Sequence, residues 1–291
     1  MTSFEVVAAV KRLTGERHTG HAGTLDPAAT GVLPVCLGKS TRVVEYLMDA
    51  TKTYQAQIEL GVTTDTYDAA GKILKTADAS SVTFTQIESV LSQFRGNIQQ
   101  VPPAYSALKQ HGRPLYSYAR AGVAVTPKSR EVTIHEITVL DWQPQIITLR
   151  VVCSKGTYIR SLAHDIGEKL GCGAHLKSLV REKYGPFDIK EAVSVRQLEE
   201  ICRGGTLESI LYPIDTVLTH MQAVVLNEDY ARIVINGGSL ALPEILKPAQ
   251  SSMLEARSSM YCRAYSAGGS LIAVLHYHPE TEKWHPEKVF L

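Results

Sequence analysis

The stretch "RHTGHAGTLDPAATGVLP", residues 17–34, holds a single acid, Asp26, among glycines, two prolines and two histidines. This glycine and proline content indicates a loop between regular elements. A carboxylate in so stiff a turn can act as a nucleophile or a general base, because rigid placement lowers the entropic cost of reaching its target. Aspartate is also a common turn-capping residue. The spacing alone leaves both interpretations of Asp26 open.

Helices are predicted on both sides of this loop. Thr2 and Glu5 form a capping-box pattern at the start of an apolar helical repeat. Thr85 and Glu88 form a second such pattern, which predicts a helix over residues 85–95. A third helix is predicted over residues 159–170, directly after the segment that holds Tyr158.

Strands are predicted between and after these helices. Residues 54–60 alternate strictly between apolar and polar, and residues 132–140 and 146–153 are rich in β-formers. From about residue 222 onward, short β-rich pieces and glycine turns indicate a small β-barrel. Helices and strands that occur in this mixed order predict an α+β protein with a domain boundary near residue 220.

Composition excludes several classes of protein. The net charge is +1 and 44% of the 291 residues are hydrophobic, as in an ordinary globular chain. Five scattered cysteines without a C-x-x-C pair argue against a disulfide framework and against a structural zinc site. No apolar run is long enough to span a bilayer and no signal peptide precedes the first helix, so we expect a cytoplasmic protein.

Residues 102–130, "PPAYSALKQHGRPLYSYARAGVAVTPKSR", interleave tyrosines with lysines and arginines and contain no acid. Aromatic rings stack on RNA bases, while the cations meet phosphates. An amphipathic surface helix explains part of the pattern equally well. This segment therefore suggests an RNA contact without requiring one.

Other constellations are weaker. His21 and Asp26 suggest hydrolase-like base chemistry, but no G-x-S-x-G motif follows. The glycine that a phosphate-binding P-loop needs five residues before Gly38 is absent. His276 and His278 can share one face of a strand, as a metal pair would, but an exposed strand face is the favoured interpretation.

Four segments together resemble the TruB-type tRNA pseudouridine synthases, which isomerise the uridine at position 55 in the TΨC arm of tRNA. They are GHAGTLDPAATGVLPVCLGKSTR (20–42), KTYQAQIELGVTTDTYDAAG (52–71), VPPAYSALKQHGRPLYSYAR (101–120) and CSKGTYIRSLAHDIGEKLGCGAHL (153–176). The resemblance implies a mixed, mostly antiparallel sheet split by a central cleft and flanked by helices. It also implies a catalytic domain over 1–220, with a basic RNA-binding insertion at about 102–130, and a PUA-like β-barrel over 221–291.

The resemblance assigns roles to residues of the glycine-rich loop and the first long strand. The family's aspartate nucleophile falls on Asp26. This carboxylate attacks the nucleoside or assists loss of its 2′ proton, and the base then turns over and rejoins through carbon. His21 matches the histidine that helps displace the target base from the tRNA stack, and Tyr54 the tyrosine that stacks on the flipped uracil.

Other roles fall on residues that lie further along the chain. Arg160 matches the arginine partner of the catalytic carboxylate, which it orients through opposite charge and paired hydrogen bonds. Tyr158 lies beside the site, Asp68 matches an acid that can share Arg160, and Leu179 matches an apolar residue of the uracil pocket. The resemblance implies tRNA as partner, no metal, no cofactor, no membrane, and a monomer.

Two departures from the family pattern are visible. Family members usually carry a strand and a Lys-Pro loop before the motif that appears here as Met1-Thr2-Ser3-Phe4. Either the start of this chain is placed late, or the strand and loop are truly missing; a true loss predicts a weakened catalytic domain and motivates an alternative function as a catalytically impaired tRNA-binding or tRNA-folding module. Leu179-Val180-Arg181-Glu182 stands where the family usually has leucine, two arginines and threonine, which predicts altered RNA contacts.

Overall fold

The computed structural model describes residues 1–290 apart from Ala107, His111, Gly122, Ala124, Thr126 and residues 242–259. The five single residues all fall in the segment 102–130, so the RNA contact predicted there lies partly outside the described residues. The helices are α1 (Ser3–Thr14), α2 (Val44–Met48), α3 (Phe84–Ser92), α4 (Leu115–Arg120), α5 (Ile159–Leu170), α6 (Val195–Arg203) and α7 (Glu228–Ile235).

The strands are short except in the middle of the chain. They are β1 (Thr19–His21), β2 (Thr30–Gly31), β3 (Val35–Leu37), β4 (Lys52–Leu60), β5 (Val62–Thr64), β6 (Ile73–Thr76), β7 (Gly96–Gln100), β8 (Lys109–Gln110), β9 (Arg113–Pro114), β10 (Arg130–Gln143), β11 (Ile146–Cys153), β12 (Ala174–Tyr184), β13 (Phe187–Asp188), β14 (Gln222–Val225), β15 (Tyr261–Tyr265), β16 (Leu271–His278) and β17 (Lys283–Val289). The three strands predicted at 54–60, 132–140 and 146–153 are confirmed as β4, β10 and β11.

The main sheet runs in the order β13-β12-β4-β11-β10-β7, and β2 pairs with β12 from outside this path. Its neighbours are antiparallel except for the parallel pair of β2 with β12. Side chains of β4 alternate along the strand, so that Ala56, Ile58 and Leu60 are buried. The predicted mixed, mostly antiparallel sheet is therefore confirmed.

Two helices complete the core of this sheet. α3 contributes Ile87, Val90 and Leu91, and α5 contributes an apolar stripe that includes Leu162 and Ile166. These residues pack in one cluster with the inward side chains of β4, β10, β11 and β12. Fully burying each large aliphatic side chain contributes roughly 1.5–3 kcal/mol, which makes this cluster the main source of stability for the sheet.

Both capping predictions fall at helix starts, but only one is right. The Thr2–Glu5 box forms at α1, since Thr2 N donates to the Glu5 carboxylate at 2.7 Å and Glu5 N donates to Thr2 Oγ1 at 3.2 Å. The Thr85–Glu88 box is wrong: α3 begins at Phe84, and Thr83 with Gln86 forms the box. The earlier cap adds helical bonds such as Ile87 N to Thr83 O at 3.1 Å.

The chain divides into two compact units. The first comprises residues 1–6, 22–34 and 48–194 and holds the main sheet, whereas the second comprises 7–21, 35–47 and 195–291. The second unit contains a four-stranded sheet in the order β14-β15-β16-β17, with its own apolar core around Trp284. This sheet confirms a small C-terminal β-rich part, and β17 is a strand that the sequence did not predict.

Candidate active site

Asp26 lies in a turn that is held on both sides. Ala29 N donates to Asp26 O at 2.9 Å, which closes the turn over Pro27. Leu25 N donates to Ser3 Oγ at 3.0 Å, and the same hydroxyl donates to Leu25 O at 3.3 Å. The backbone before and after the acid is therefore fixed, while 41% of the Asp26 side chain stays exposed.

Arg160 meets this carboxylate from the first turn of α5. Its Nε donates to Asp26 Oδ2 at 2.8 Å and its Nη2 donates to Asp26 Oδ1 at 3.0 Å. The Arg160 side chain is only 6% exposed, so water reaches and screens this ion pair only from the Asp26 carboxylate. A two-point contact of this kind fixes the plane of the carboxylate as well as its distance.

Two further hydrogen bonds join Arg160 to the surrounding backbone. Nη1 donates to Thr66 O at 3.3 Å, and Nη2 also donates to Tyr105 O at 3.1 Å. Asp68 Oδ2 lies 3.7 Å from Nη1, which places a second carboxylate beside the guanidinium. A buried arginine with its donors satisfied in this way has little freedom to leave Asp26.

Asp68 is itself held in a tight turn. Its Oδ1 accepts from Thr66 Oγ1 at 2.6 Å and from Ala70 N at 3.0 Å, while its backbone oxygen accepts from Thr64 Oγ1 at 2.7 Å. The sequence prediction that Asp68 can share Arg160 agrees with this geometry. Asp26 holds the two short bonds to the arginine, and Asp68 adds negative charge behind it.

Tyr54 and Leu179 lie on the neighbouring strands β4 and β12. Tyr54 is partly buried and packs against the apolar core, and burial raises the pKa of its phenol above the ordinary value. The charge of Asp26 acts on this phenol in the same direction, which places the two groups within electrostatic reach of each other. Leu179 is 9% exposed and belongs to the core cluster that Tyr54 touches.

Tyr158 is the residue before the first turn of α5, with extended backbone angles. Gln100, whose side chain is fully buried on β7, braces it: Nε2 donates to Tyr158 O at 3.0 Å and Oε1 accepts from Tyr158 N at 2.8 Å. The Arg130 guanidinium lies over the Tyr158 ring, 4.6 Å from its centroid. Sequence reasoning missed Gln100, because a buried amide that serves the backbone of a distant residue leaves no local pattern.

His21 ends β1, where it pairs with Val35 of β3. It is partly buried and belongs to the second compact unit, whereas Asp26, Arg160 and Asp68 belong to the first. The structure thus brings three of the predicted residues into direct contact, with Tyr54 nearby. The contribution of His21 to base displacement stays a prediction.

The acid introduced by Glu182 is not free on the sheet. Arg150 on β11 donates from Nε to Glu182 Oε2 at 2.9 Å, and the Glu182 side chain is 18% exposed. This pair neutralises the extra carboxylate at the departure from the family pattern. The altered RNA contact predicted for residues 179–182 stays a prediction.

The two candidate histidines of the C-terminal sheet do come together. His276 Nδ1 lies 3.3 Å from His278 Nε2, and His278 Nδ1 lies 2.8 Å from Glu280 Oε1. Within the described ranges, however, no group of three or more His, Cys, Asp or Glu side chains is arranged to hold a metal ion.

No helix in the described part of the chain is long and apolar enough to cross a membrane.

Two family models match the chain across adjoining segments. The N-terminal domain of the TruB family pseudouridylate synthases matches residues 11–159, and the C-terminal domain of tRNA pseudouridylate synthase B matches residues 160–219. The first match contains Asp26, and the second begins at Arg160.

Curated relatives and solved structures agree with these matches. The tRNA pseudouridine synthase B of Dehalococcoides mccartyi strain BAV1 is 44% identical over 292 residues, covering 100% of this chain and 93% of the relative. That of Clostridioides difficile strain 630 is 40% identical, covering 100% and 96%. A solved H/ACA RNP bound to a substrate RNA containing 2′-deoxyuridine aligns with a TM-score of 0.72 at 26% identity, covering 100% of this chain and 82% of that one.

Proposed function

The chain belongs to the TruB family of pseudouridylate synthases, and we propose that it acts on the uridine at position 55 in the TΨC arm of tRNA, with Asp26 as its nucleophile. It is a pseudouridine synthase, an isomerase that acts on uridine in tRNA. The observation that carries the role of Asp26 is its paired contact with buried Arg160, which leaves the carboxylate oriented and partly open to solvent.

The chemistry is an isomerisation that balances within the substrate. The bond from ribose C1′ to N1 of uracil breaks, a bond from C1′ to C5 forms, C5 loses a proton and N1 gains one. Asp26 either attacks the nucleoside directly or assists loss of the 2′ proton, and a fixed carboxylate suits both courses. Arg160 orients this carboxylate through two hydrogen bonds, one to each of its oxygens.

The target base has to leave the folded arm before its reacting atoms are accessible. We assign the contacts with the flipped nucleotide to the residues that the family resemblance groups with Asp26. His21 displaces the base, Tyr54 stacks on it, and Tyr158 and Leu179 line its pocket. Asp68 supports the charge of Arg160 from behind.

The segment 102–130 supplies cations for the RNA backbone. Arg113, Arg120 and Lys128 are exposed, and Arg120 lies 5.5 Å above the ring centroid of Tyr116, which is 40% exposed. Phosphate contacts release counterions, so binding through these groups weakens steeply as salt is added.

We further propose that residues 1–220 form the catalytic domain, that 221–291 form a PUA-like domain, and that the protein acts as a monomer.

A direct test uses unmodified tRNA transcript and a chemical reagent that maps pseudouridine to single nucleotides. We expect product at position 55 and none in a transcript with cytidine there. Asp26→Asn is expected to remove product while tRNA affinity stays within about threefold, because the amide keeps the size of the side chain but not its charge.

The matched control is Asp49→Asn. Asp49 is also a carboxylate of the first unit, but it is 60% exposed and pairs with Lys155 at 2.5 Å on the surface. This variant is expected to keep the activity of the parent. Equal product from the parent and from Asp26→Asn would remove Asp26 from the mechanism, and product at another uridine would remove the proposed site in tRNA.

A further inference from the structure

Arg181 is a second buried arginine in the unit that holds Asp26. Only 2% of its surface is exposed, and it lies on β12 on the same inward face as Leu179. Its hydrogen-bond acceptors in the described part of the chain are uncharged oxygens. Removing a cation from water without a counter-ion is costly, so this position is not explained by packing alone.

The guanidinium holds both ends of the Asp26 loop. Nη2 donates to Gly23 O at 2.9 Å, three residues before the acid, and Nε donates to Val32 O at 2.7 Å, six residues after it. The backbone of Arg181 adds a second attachment, because Val32 N donates to Arg181 O at 2.9 Å. One residue therefore anchors the loop through its side chain and its main chain.

Gly31 makes this close approach possible. It pairs with Arg181 in the parallel β2–β12 contact, with a φ of +104°. A Cβ at this position would lie 2.3 Å from Arg181 O and 2.7 Å from Arg181 N. The backbone of the Asp26 loop thus lies in direct contact with β12, the strand that carries Arg181.

Tyr54 is the cross-strand partner of Arg181 in the β4–β12 pairing, so the two side chains lie next to each other on one face of the sheet. Burial raises the pKa of the Tyr54 phenol, the charge of Asp26 acts in the same direction, and the positive charge of Arg181 acts against both. The phenol thus lies within reach of both the cation and the carboxylate.

The aromatic ring of Tyr184 completes the surroundings of the guanidinium. Arg181 Cζ lies 4.9 Å from the ring centroid, and Lys52 Nζ lies 4.3 Å from it. Contact of a cation with an aromatic face offsets part of the cost of burial. A Cβ at Gly23 would meet the Tyr184 ring at 3.1 Å, so the same ring also touches the start of the Asp26 loop.

We propose that Arg181 is a positioning residue of the isomerisation: it holds the Asp26 loop and the Tyr54 phenol in one arrangement, so that both meet the flipped uridine together. This inference rests on the proposed role of Asp26. The proposed role of Arg181 differs from that of Arg160, because Arg160 contacts the Asp26 carboxylate itself whereas Arg181 contacts the backbone on either side of Asp26.

The test is a double-mutant cycle of Arg181→Lys with Tyr54→Phe, read as the single-turnover rate on saturating unmodified tRNA. Lysine keeps the charge but lacks the planar fork that reaches the two carbonyls of Gly23 and Val32. We expect Arg181→Lys to slow the parent by about 100-fold and the Tyr54→Phe protein by only about 10-fold, because the two residues act as a unit. Affinity for tRNA is expected to change by less than about threefold, since neither group supplies a phosphate contact.

Arg150→Lys is the matched control, because Arg150 lies on the same sheet but is 46% exposed and pairs with Glu182. Thermal unfolding checks that each variant is folded at the assay temperature. If the lysine variant is unfolded, Arg181→Gln takes its place in the cycle. An equal fold-loss in both backgrounds, or loss of folding in both Arg181 variants, would overturn the proposal and make Arg181 a residue of the core.

The Asp26→Asn protein separates this inference from the proposed function. Loss of activity in Asp26→Asn with no coupling in the cycle would overturn the role of Arg181 alone. Full activity in Asp26→Asn would overturn the assignment of the nucleophile, on which the role of Arg181 depends.

Discussion

The guanidinium of Arg160 donates hydrogen bonds to both carboxylate oxygens of Asp26, which lies 134 residues earlier in the sequence. One partner stands on a glycine- and proline-rich turn and the other in the first turn of a helix that packs on the main sheet. Arg160 is buried and therefore rigid, whereas Asp26 is partly exposed. The arginine therefore fixes the orientation of the Asp26 side chain. The orientation of the proposed nucleophile is thus a property of the sheet core.

Arg160→Met is expected to slow turnover by about 100-fold, because the carboxylate loses the two-point contact that sets its plane and position. Affinity for tRNA is expected to stay close to that of the parent, since the arginine is 6% exposed and faces protein groups. Single-turnover rates and a filter-binding assay measure the two quantities separately. Arg150→Met is the control, and weak binding with a normal rate for the bound complex would contradict this role for Arg160.

Gln100→Leu is expected to destabilise the protein and slow turnover together. The substitution leaves the Tyr158 N–H without its amide partner, whereas Tyr158 O keeps the bond from Leu162 N at 3.1 Å, and one unpaired buried donor costs roughly 1–3 kcal/mol. Urea unfolding measures the loss in free energy, and single-turnover kinetics measure the effect on the site. Gln99→Leu, an exposed neighbour on the same strand, is the control and is expected to change neither by a comparable amount.

Local patterns predicted the helices α1, α3 and α5, the strands β4, β10 and β11, and the first capping box, because each depends on residues only a few positions apart. The second box was misplaced because two overlapping patterns, Thr83 with Gln86 and Thr85 with Glu88, compete for one helix start. The Asp26–Arg160 pair came from family resemblance and agrees with the structure. Gln100 and Arg181 were not assigned roles, since their partners are backbone atoms 58 or more residues away.

Arg181 nevertheless leaves one signal that can be used in other sequences. It stands two residues after Leu179, so a strand with period-two alternation places both side chains on the buried face. A charged residue at an inward position is rare unless the fold uses it. In this chain it marks the strand that holds the Asp26 loop.

Lys52 makes the stability of the protein depend on pH. Its side chain is buried and donates to Met48 O at 2.7 Å and to Ala50 O at 2.6 Å. Burial, and then the charge of Arg181, lower the pKa of Lys52 from 10.5 to about 8. Between these two values the unfolded chain binds the proton more tightly than the folded chain, so stability from this group rises with pH and is lost as pH falls through the window.

The measurement is urea unfolding of the parent and of Lys52→Met at about pH 7.5 and about pH 9.5, compared as a difference at each pH. We expect the parent to gain stability relative to the variant at the higher pH. Burial raises the pKa of Cys153 to about 11, which acts in the opposite direction, but this thiol is present in both proteins. A difference that stays constant, or that moves against the parent, would contradict the assignment to Lys52.

Gly31→Ala is expected to detach the Asp26 loop from β12. The added Cβ would lie 2.3 Å from Arg181 O, a backbone atom that cannot move aside without breaking the strand pairing. Gly15→Ala is the matched control, because Gly15 also has a positive φ, +72°, but nothing lies within 4 Å of its Cβ position. The control is expected to cost only the strain of the left-handed conformation, roughly 1–2 kcal/mol.

Gly31→Ala is expected to exceed this cost in urea unfolding and to lower the single-turnover rate by about 10-fold or more, because a displaced loop misaligns Asp26 with its substrate. The comparison between the two alanine variants isolates the clash from the conformational strain that they share. If both variants lose the same stability and both keep the parent rate, the contact between Gly31 and Arg181 does not hold the loop. A rate loss confined to Gly31→Ala would establish that the position of the Asp26 loop on β12 sets the speed of the reaction.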